Sequence, residues 1–137
     1  VHSFPTRRSS DLVYADLLGE KIVEHNVHCW LVNTGWSGGP YGVGQRISIG
    51  YTRAMIRAAL RGELNDVDYE RDEIFGLHMP RKCPEVPSRI LNPKNTWDDP
   101  GAYERQGREL AGLFRDNFQR FADGVSEEVF RAGPEAP

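Results

Sequence analysis

An apolar run that leads directly into a glycine-rich loop constrains this chain more than any other feature. Residues 27–33 are short and nearly all apolar, which is typical of a strand buried on both faces. Five glycines follow within residues 34–44. Because glycine has no Cβ and accepts positive φ, such a loop lets the backbone approach a ligand or another segment closely. A second short strand is predicted over residues 46–49, which completes a strand–loop–strand unit.

A ligand-binding turn is one interpretation of this unit. Arg46 opens the second strand, where a planar guanidinium could lie against a flat ring or pair with an anion. The loop nevertheless matches neither common phosphate-binding fingerprint. No Gly-x-x-x-x-Gly-Lys string followed by Ser or Thr occurs, and Ile47 stands where a Gly-x-Gly-x-x-Gly pattern starting at Gly42 needs its third glycine. On the motif alone, a structural turn and a ligand loop both remain open.

Periodicity and capping residues predict the other elements. They are a helix over residues 13–25 with a stop at Asn26, a helix from Thr52 to Arg61 closed by Gly62, a strand over 74–79, an ordered loop over 80–95, a helix from Pro100 to about Asp123 capped by Asp99, and a last helix from Ser126. An aromatic stripe along the helix from Pro100 is expected to face the core. Short strands among several helices predict a mixed α/β (α+β) fold class. They also point to a C-terminal piece of a larger sheet protein.

The composition excludes several classes of function. With 137 residues and a formal net charge of −3, the chain predicts no nucleic-acid partner. No apolar stretch approaches the roughly 18 residues that span a bilayer, so no membrane partner is predicted. Cys29 and Cys83 form neither a disulfide framework nor a Cys-x-x-Cys motif, and Cys29 is expected to be buried in its strand. A cytoplasmic location is expected.

The titratable residues do not form a catalytic pattern. His25 and His28 span a predicted helix–strand boundary and His78 is isolated, so no spacing places two imidazoles on one metal ion. Asp98 and Asp99 are better explained by helix capping than as paired carboxylates. No serine or cysteine has the neighbours of an activated nucleophile. The residues alone therefore indicate one binding site and no catalytic machinery.

The first twelve residues differ from the rest of the chain. Residues 1–12 are polar, have no apolar period and lack the apolar core of a secretory signal. They resemble a recurrent spurious translation of sequencing-adapter DNA. We therefore expect residues 1–12 to be a non-native leader that does not pack with the fold.

Several motifs in register carry a resemblance to a known family. They are Leu-Val-Asn-Thr-Gly-Trp at 31–36, Gly-Val-Gly-Gln-Arg-Ile at 42–47, Thr-Arg at 52–53, Phe-Gly-Leu at 75–77, Cys-Pro-Glu-Val-Pro at 83–87, Leu-Asn-Pro-Lys-Asn-Thr-Trp at 91–97, and Leu-Phe-x-x-Asn-Phe at 113–118. From about Val13 to Pro134 the chain resembles the C-terminal part of ATP-dependent phosphoenolpyruvate carboxykinase. Separate motifs in one order are far more specific than a glycine loop alone.

The resemblance implies a carboxy-lyase that converts oxaloacetate and ATP to phosphoenolpyruvate, carbon dioxide and ADP in gluconeogenesis. It implies ATP and oxaloacetate as small-molecule partners, together with Mg²⁺ and Mn²⁺. The family's P-loop, substrate-binding basic residues and metal ligands lie upstream of this segment. The upstream remainder of the same enzyme is therefore a further expected partner, and the chain alone is expected to be inactive.

The resemblance also implies roles for three residues. The family residues that match Arg46, Ile47 and Thr52 contact the adenine nucleotide. Residues 13–137 would then be the C-terminal part of the mononucleotide-binding domain of a phosphoenolpyruvate carboxykinase-like fold. The alternative, from a different class of protein, is a free-standing module that binds a nucleotide or a protein without catalysis.

Overall fold

The computed structural model describes residues 7–134, which form helices and two small antiparallel sheets. The elements in chain order are α1 Arg7–His25, β1 Trp36–Ser37, β2 Gln45–Arg46, α2 Ile49–Leu60, β3 Tyr69–Arg71, β4 His78–Pro80, α3 Ser88–Leu91, a 3₁₀ turn Pro93–Thr96, α4 Pro100–Phe118, a 3₁₀ segment Gln119–Gly124, and α5 Glu127–Arg131. β1 pairs with β2, and β3 pairs with β4. The predicted mixed α/β class is confirmed.

Helix α1 begins earlier than its sequence pattern predicts. Arg7–Leu12 form its first turns, and Leu12 lies so close to Gly124 that a Cβ there would collide with it. The expectation that residues 1–12 do not pack is therefore wrong for Leu12, while residues 1–6 lie outside the described part of the chain. Their spurious origin stays a prediction. The helix stop at Asn26 is confirmed, since this residue takes a positive φ of 47°.

The predicted buried strand over residues 27–33 is wrong. The segment lies outside every strand of the described chain, and Val27 and Leu31 expose 49% and 85% of their surface. Cys29, expected to be buried, is exposed. A strand forms only where a neighbour pairs with its backbone N–H and C=O groups, and no strand of residues 7–134 pairs with this segment.

Helix α2 is capped by Ser48, not by Thr52. The Ser48 hydroxyl accepts a hydrogen bond from the Gly50 amide at 3.3 Å, whereas Thr52 already lies inside the helix with its amide bonded to the Ser48 carbonyl at 3.1 Å. The second strand is correspondingly short and ends at Arg46, since the chain turns into α2. The predicted closure at Gly62 is confirmed by its φ of 70°. The Glu63 amide bonds there to the Ala58 carbonyl at 3.0 Å.

Small side chains make up most of the core. Ala54 and Ala58 of α2 pack with Leu64, Cys83 and Val86. Burial, with the nearby carboxylates of Glu63 and Glu85, raises the pKa of the Cys83 thiol. A neutral, buried thiol is a packing residue, so Cys83 belongs to the scaffold.

The β3–β4 hairpin replaces the single strand predicted over residues 74–79. The Asp72 carboxylate ends β3 by accepting the amides of Ile74 at 3.0 Å and Phe75 at 2.6 Å, which forces a turn. Ile74 therefore lies in the connection and is buried against α4, where a Cβ on Gly107 would lie 2.7 Å from its Cδ1. The glycine lets helix and hairpin approach closely.

Helix α4 keeps its predicted start, but only part of its predicted aromatic stripe is buried. Asp99 caps it by accepting the Gly101 amide at 2.8 Å, as the sequence predicts. Its buried positions, Gly107 and Ala111, lie on the same side of the helix as the half-buried Tyr103 and Phe118. Phe114, on that side as well, is more than half exposed. α5 is capped by Ser126 as predicted, through the Val129 amide. The segment over 80–95, predicted to be an ordered loop, contains two short helical elements. They are α3 and most of the following 3₁₀ turn.

Candidate functional site

The glycine loop closes a short hairpin. In the β1–β2 ladder Trp36 faces Arg46 and Ser37 faces Gln45. The Ile47 amide donates to the Gly35 carbonyl at 2.9 Å and extends the pairing by one bond. The orientation of Arg46 therefore depends directly on how the loop is held.

The tip of the loop tolerates only glycine at several positions. The amides of Val43 and Gly44 both donate to the Pro40 carbonyl at 3.0 Å, which folds the tip back on itself. Gly42 takes a φ of 86°, a conformation that side-chain-bearing residues rarely adopt. A Cβ at position 44 would lie 2.8 Å from the Gly39 carbonyl oxygen and 2.9 Å from that of Ser37. The glycines thus allow backbone to pack on backbone.

Asn33 holds the base of the loop. Its side-chain oxygen accepts the Gly35 amide at 2.9 Å, and its side-chain amide donates to the Trp36 carbonyl at 3.2 Å. The outer side of the loop meets the 3₁₀ turn, where the hydroxyls of Ser37 and Thr96 lie 2.8 Å apart. The loop is therefore fixed by side chains from both sides.

Arg46 places a positive charge at the end of β2. It is exposed, and no side-chain hydrogen bond or ion pair within residues 7–134 engages its guanidinium. Two residues later the chain enters α2, whose first turn carries no acidic side chain. Because a helix N-terminus carries a partial positive charge, it adds to the guanidinium and favours an anion here.

Ile47 and Thr52 occupy different surroundings from Arg46. Ile47 is half-buried and lines an open cleft of about 930 Å³ with residues 28–33 and the β3–β4 hairpin. Its amide is already bonded to Gly35, so its carbonyl is the group left for a ligand. Thr52 is half-buried one turn into α2 and does not line the cleft. The chain brings the three residues near one another, but their contact with a nucleotide stays a prediction.

The cleft wall carries neutral phenols. Burial raises the pKa of Tyr69, whose hydroxyl donates to the Leu64 carbonyl at 2.6 Å. Burial also raises the pKa of Tyr103, and the Asp72 carboxylate adds to that effect. Both phenols are thus uncharged near neutral pH. Together with Leu77, Ile90 and similar apolar neighbours they make this wall suited to apolar surface.

Metal-ligating side chains do not gather in the described chain. Among residues 7–134, no three His, Cys, Asp or Glu side chains lie together as a metal site. No helix in the same range is long and apolar enough to cross a membrane.

Comparison with known proteins decides the family. A family model described as "Phosphoenolpyruvate carboxykinase" matches residues 4–89. The chain is 54% identical over 125 residues to "Phosphoenolpyruvate carboxykinase (ATP) 2" of Moorella thermoacetica, covering 91% of this chain and 24% of that protein. It is 57% identical over 120 residues to "Phosphoenolpyruvate carboxykinase (ATP)" of Pelobacter propionicus, covering 88% of this chain and 23% of that protein.

The chain belongs to the ATP-dependent phosphoenolpyruvate carboxykinase family. The similarly named protein of Thermus thermophilus is 54% identical over 122 residues, which is 89% of this chain and 23% of that relative. The chain thus spans about a quarter of the length of the relatives it matches. The family match begins at residue 4, before the Val13 at which the sequence motifs first indicate it.

Sequence patterns do not predict the roles of four residues that shape the loop. The apolar pattern favours Thr52 over Ser48 as the cap of α2 because Thr52 stands nearer to the apolar positions, although serine is as good a cap. Asn33 lies two residues before Gly35, a spacing typical of a local side-chain turn, so it carried a usable signal. The contact between Ser37 and Thr96 joins residues 59 apart and had no sequence signal.

Proposed function

We propose that this chain is the C-terminal, nucleotide-contacting segment of an ATP-dependent phosphoenolpyruvate carboxykinase. The complete enzyme converts oxaloacetate and ATP to phosphoenolpyruvate, carbon dioxide and ADP, a step of gluconeogenesis. Family membership supports the reaction, since the relatives carry that name. The same membership favours this function over a free-standing binding module.

The exposed, unpaired Arg46 at the end of a rigid glycine hairpin is the observation that carries the proposal. Its guanidinium stacks on the adenine ring or approaches the phosphates, helped by the N-terminus of α2. The Ile47 carbonyl accepts a hydrogen bond from the base. The Thr52 hydroxyl, for which the described chain offers no hydrogen-bonding partner, supplies a further polar contact.

The phosphoryl-transfer chemistry belongs to the remainder of the enzyme. Mg²⁺ and Mn²⁺ are the family's ions, but the donor set of the described chain does not fit either, since no cluster of three ligating side chains is present in it. ATP is the substrate that this segment would help to position. Its base end is the part these residues are suited to hold, and no chemical step is assigned to them.

The upstream remainder is the partner that would cover the apolar cleft. Residues 28–33 line that cleft, Leu31 is almost fully exposed, and about three quarters of each relative's length lies outside the matched segment. A strand from the remainder would pair with residues 27–33 and bury them. The free thiol of Cys29 is compatible with a reducing cytoplasm, where we place the enzyme.

Substitution of Arg46 in the full-length enzyme tests the proposal. Arg46→Ala should weaken ATP binding by about ten- to a hundredfold, the loss of one charged contact of roughly 1–3 kcal/mol, and should leave oxaloacetate binding nearly unchanged. Arg46→Lys should restore only part of the affinity, since an ammonium keeps the charge and loses the plane. Titration of each ligand by calorimetry measures both effects.

Arg115→Ala is the matched control, because it removes an exposed arginine from the far end of α4. It should bind ATP like the unchanged enzyme. If Arg46→Ala binds ATP normally while its oxaloacetate affinity falls, Arg46 is misassigned and the adenine site lies elsewhere.

A further inference from the structure

The 3₁₀ turn Pro93–Thr96 is the part of the chain that touches the glycine loop from outside. The hydroxyls of Ser37 and Thr96 lie 2.8 Å apart in a partly buried contact. Directly beside it, Gly38 takes a φ of 84°, and a Cβ there would lie 3.0 Å from the Thr96 carbonyl oxygen. One residue of the turn thus meets two consecutive residues of the loop.

The turn itself is firmly built. The Asn92 side chain caps it by accepting the Lys94 amide at 3.0 Å, and the Thr96 hydroxyl donates to the Pro93 carbonyl at 2.6 Å. The Asn92 side-chain amide also donates to Glu70 of β3 at 3.3 Å. The orientation of the Thr96 hydroxyl is therefore set within the turn before it meets Ser37.

The turn is also clamped to α4. Lys94 forms a half-exposed ion pair with Glu104, and the Trp97 ring stands edge-on to the Tyr103 ring with centroids 5.7 Å apart. These contacts join the turn to α4, which at 19 residues is as long as α1. A loop held by this turn is consequently also held to α4.

The contact between Thr96 and Ser37 is linked to Arg46 through one pair of residues in the β1–β2 ladder. Ser37 faces Gln45 across the β1–β2 pair, and Gln45 directly precedes Arg46. A shift of Ser37 moves its partner strand because the ladder is only two residues long. The motif over residues 91–97 contributes no nucleotide contact in the proposed function. Support of the glycine loop gives this motif a role.

We propose that Thr96 is a positioning residue that holds the glycine loop, and with it Arg46, in the geometry that receives the nucleotide. The proposal rests on the proposed function for its ligand, although the structural support stands on the contacts alone. Thr96 touches no ligand in this scheme and acts through Ser37. Its loss should therefore affect nucleotide binding and leave oxaloacetate binding unchanged.

Thr96→Val in the full-length enzyme removes the hydroxyl and keeps the shape of the side chain. The dissociation constant for ATP should rise about three- to tenfold, the range expected for one neutral hydrogen bond. The KM for oxaloacetate should not change. Thr96→Ser should restore ATP affinity because it returns the hydroxyl. Ser126→Ala, which removes a capping hydroxyl from α5, is the matched control and should bind ATP normally.

A double-mutant cycle tests whether Thr96 acts through Ser37. Ser37→Ala alone should weaken ATP binding by about as much as Thr96→Val alone. The variant carrying both changes should be no weaker than either one, since both remove the same contact. Additive losses would instead show that the two hydroxyls act separately, and would overturn the proposal.

Hydrogen exchange gives a readout that does not depend on ATP. In Thr96→Val the amides of Val43, Gly44 and Ile47 should exchange several-fold faster, while those inside α4 keep their rates. Unchanged loop exchange overturns the proposal. The proposal is also overturned if Thr96→Val exchanges faster yet binds ATP normally, while Arg46→Ala does weaken ATP binding. If Arg46→Ala binds ATP normally, the proposed function fails instead, and the exchange rates still decide whether Thr96 holds the loop.

Discussion

Gly44 and Gly112 show, at the scale of single residues, that one residue type serves opposite purposes in this chain. Gly44 sits between two backbone carbonyls, where no Cβ fits. Gly112 lies inside α4, and a Cβ there would meet nothing within 4 Å. The first glycine is required by a close approach, whereas the second only weakens a helix.

Alanine at these two positions should change stability in opposite directions. Gly44→Ala should lower the free energy of unfolding by about 1–3 kcal/mol, because backbone must move to admit the methyl group. Gly112→Ala should raise it by about 0.5–1 kcal/mol through helix propensity. Urea unfolding of the two variants beside the unchanged protein measures both. A neutral Gly44→Ala would show that the loop is not packed as described.

At the scale of elements, the start of α4 brings together three charged groups whose pKa values are shifted: Asp99, Glu104 and Lys94. The amides of Ala102 and Gly101, and then the Arg105 side chain, hold the pKa of the Asp99 carboxyl below its usual range. The hydrogen bond and charge of Lys94 lower the pKa of Glu104, and Glu104 in turn raises the pKa of Lys94. All three groups are exposed enough for solvent to screen them, so each contribution is small.

The signs of these shifts predict a dependence of stability on pH. Both carboxyls have lowered pKa values in the folded state, so their contribution is present above the unfolded pKa, about 4, and is lost as pH falls through the folded pKa. The contribution of Lys94 to stability depends on pH in the opposite direction. It is present at lower pH and is lost as pH rises through the raised pKa of Lys94.

Neutralising both carboxyls should therefore flatten the acid side of the stability profile. The variant with Asp99→Asn and Glu104→Gln should melt below the unchanged protein at pH 7, and the difference should shrink as pH falls below about 4. Thermal melts across pH 2–7 give the comparison. A difference in melting temperature between the two proteins that stays constant from pH 7 to pH 2 would contradict these roles.

At the scale of the whole molecule, the chain buries small residues and exposes large ones. Its buried hydrophobic residues include three alanines, whereas Leu31, Tyr41 and Leu60 are almost fully exposed. Large apolar side chains left in solvent gain stability when a partner covers them. The relatives are about four times as long as the matched segment, which provides the length of chain such a partner needs.

The 137-residue chain alone should not make phosphoenolpyruvate from oxaloacetate and ATP. Its described part holds no cluster of metal ligands, and its sequence holds no P-loop to cradle the phosphates. A coupled assay of the purified chain, run beside the full-length enzyme as positive control, measures this. Product above background from the chain alone would contradict both the assignment of roles and the need for the remainder.

Local features were predictable because a few neighbouring residues decide them. The sequence by itself determined the helix start at Asp99, the cap at Ser126, the stops at Asn26 and Gly62, and the position of the glycine loop beside Arg46. Each depends on capping, positive φ or a missing Cβ within four residues. The family was predictable for a similar reason, since its motifs lie in the sequence itself.

Only the tertiary structure decided which surfaces are buried and which distant groups meet. Residues 27–33 have the composition of a buried strand, yet a strand needs a partner, and the described chain supplies none. The aromatic side chains of α4 are only half-buried, because the closest approach to Ile74 is made by Gly107. Thr96 meets Ser37 across 59 residues, a separation over which no local preference acts. Burial and long-range contacts depend on how all the elements pack together, so a local stretch of sequence does not determine them.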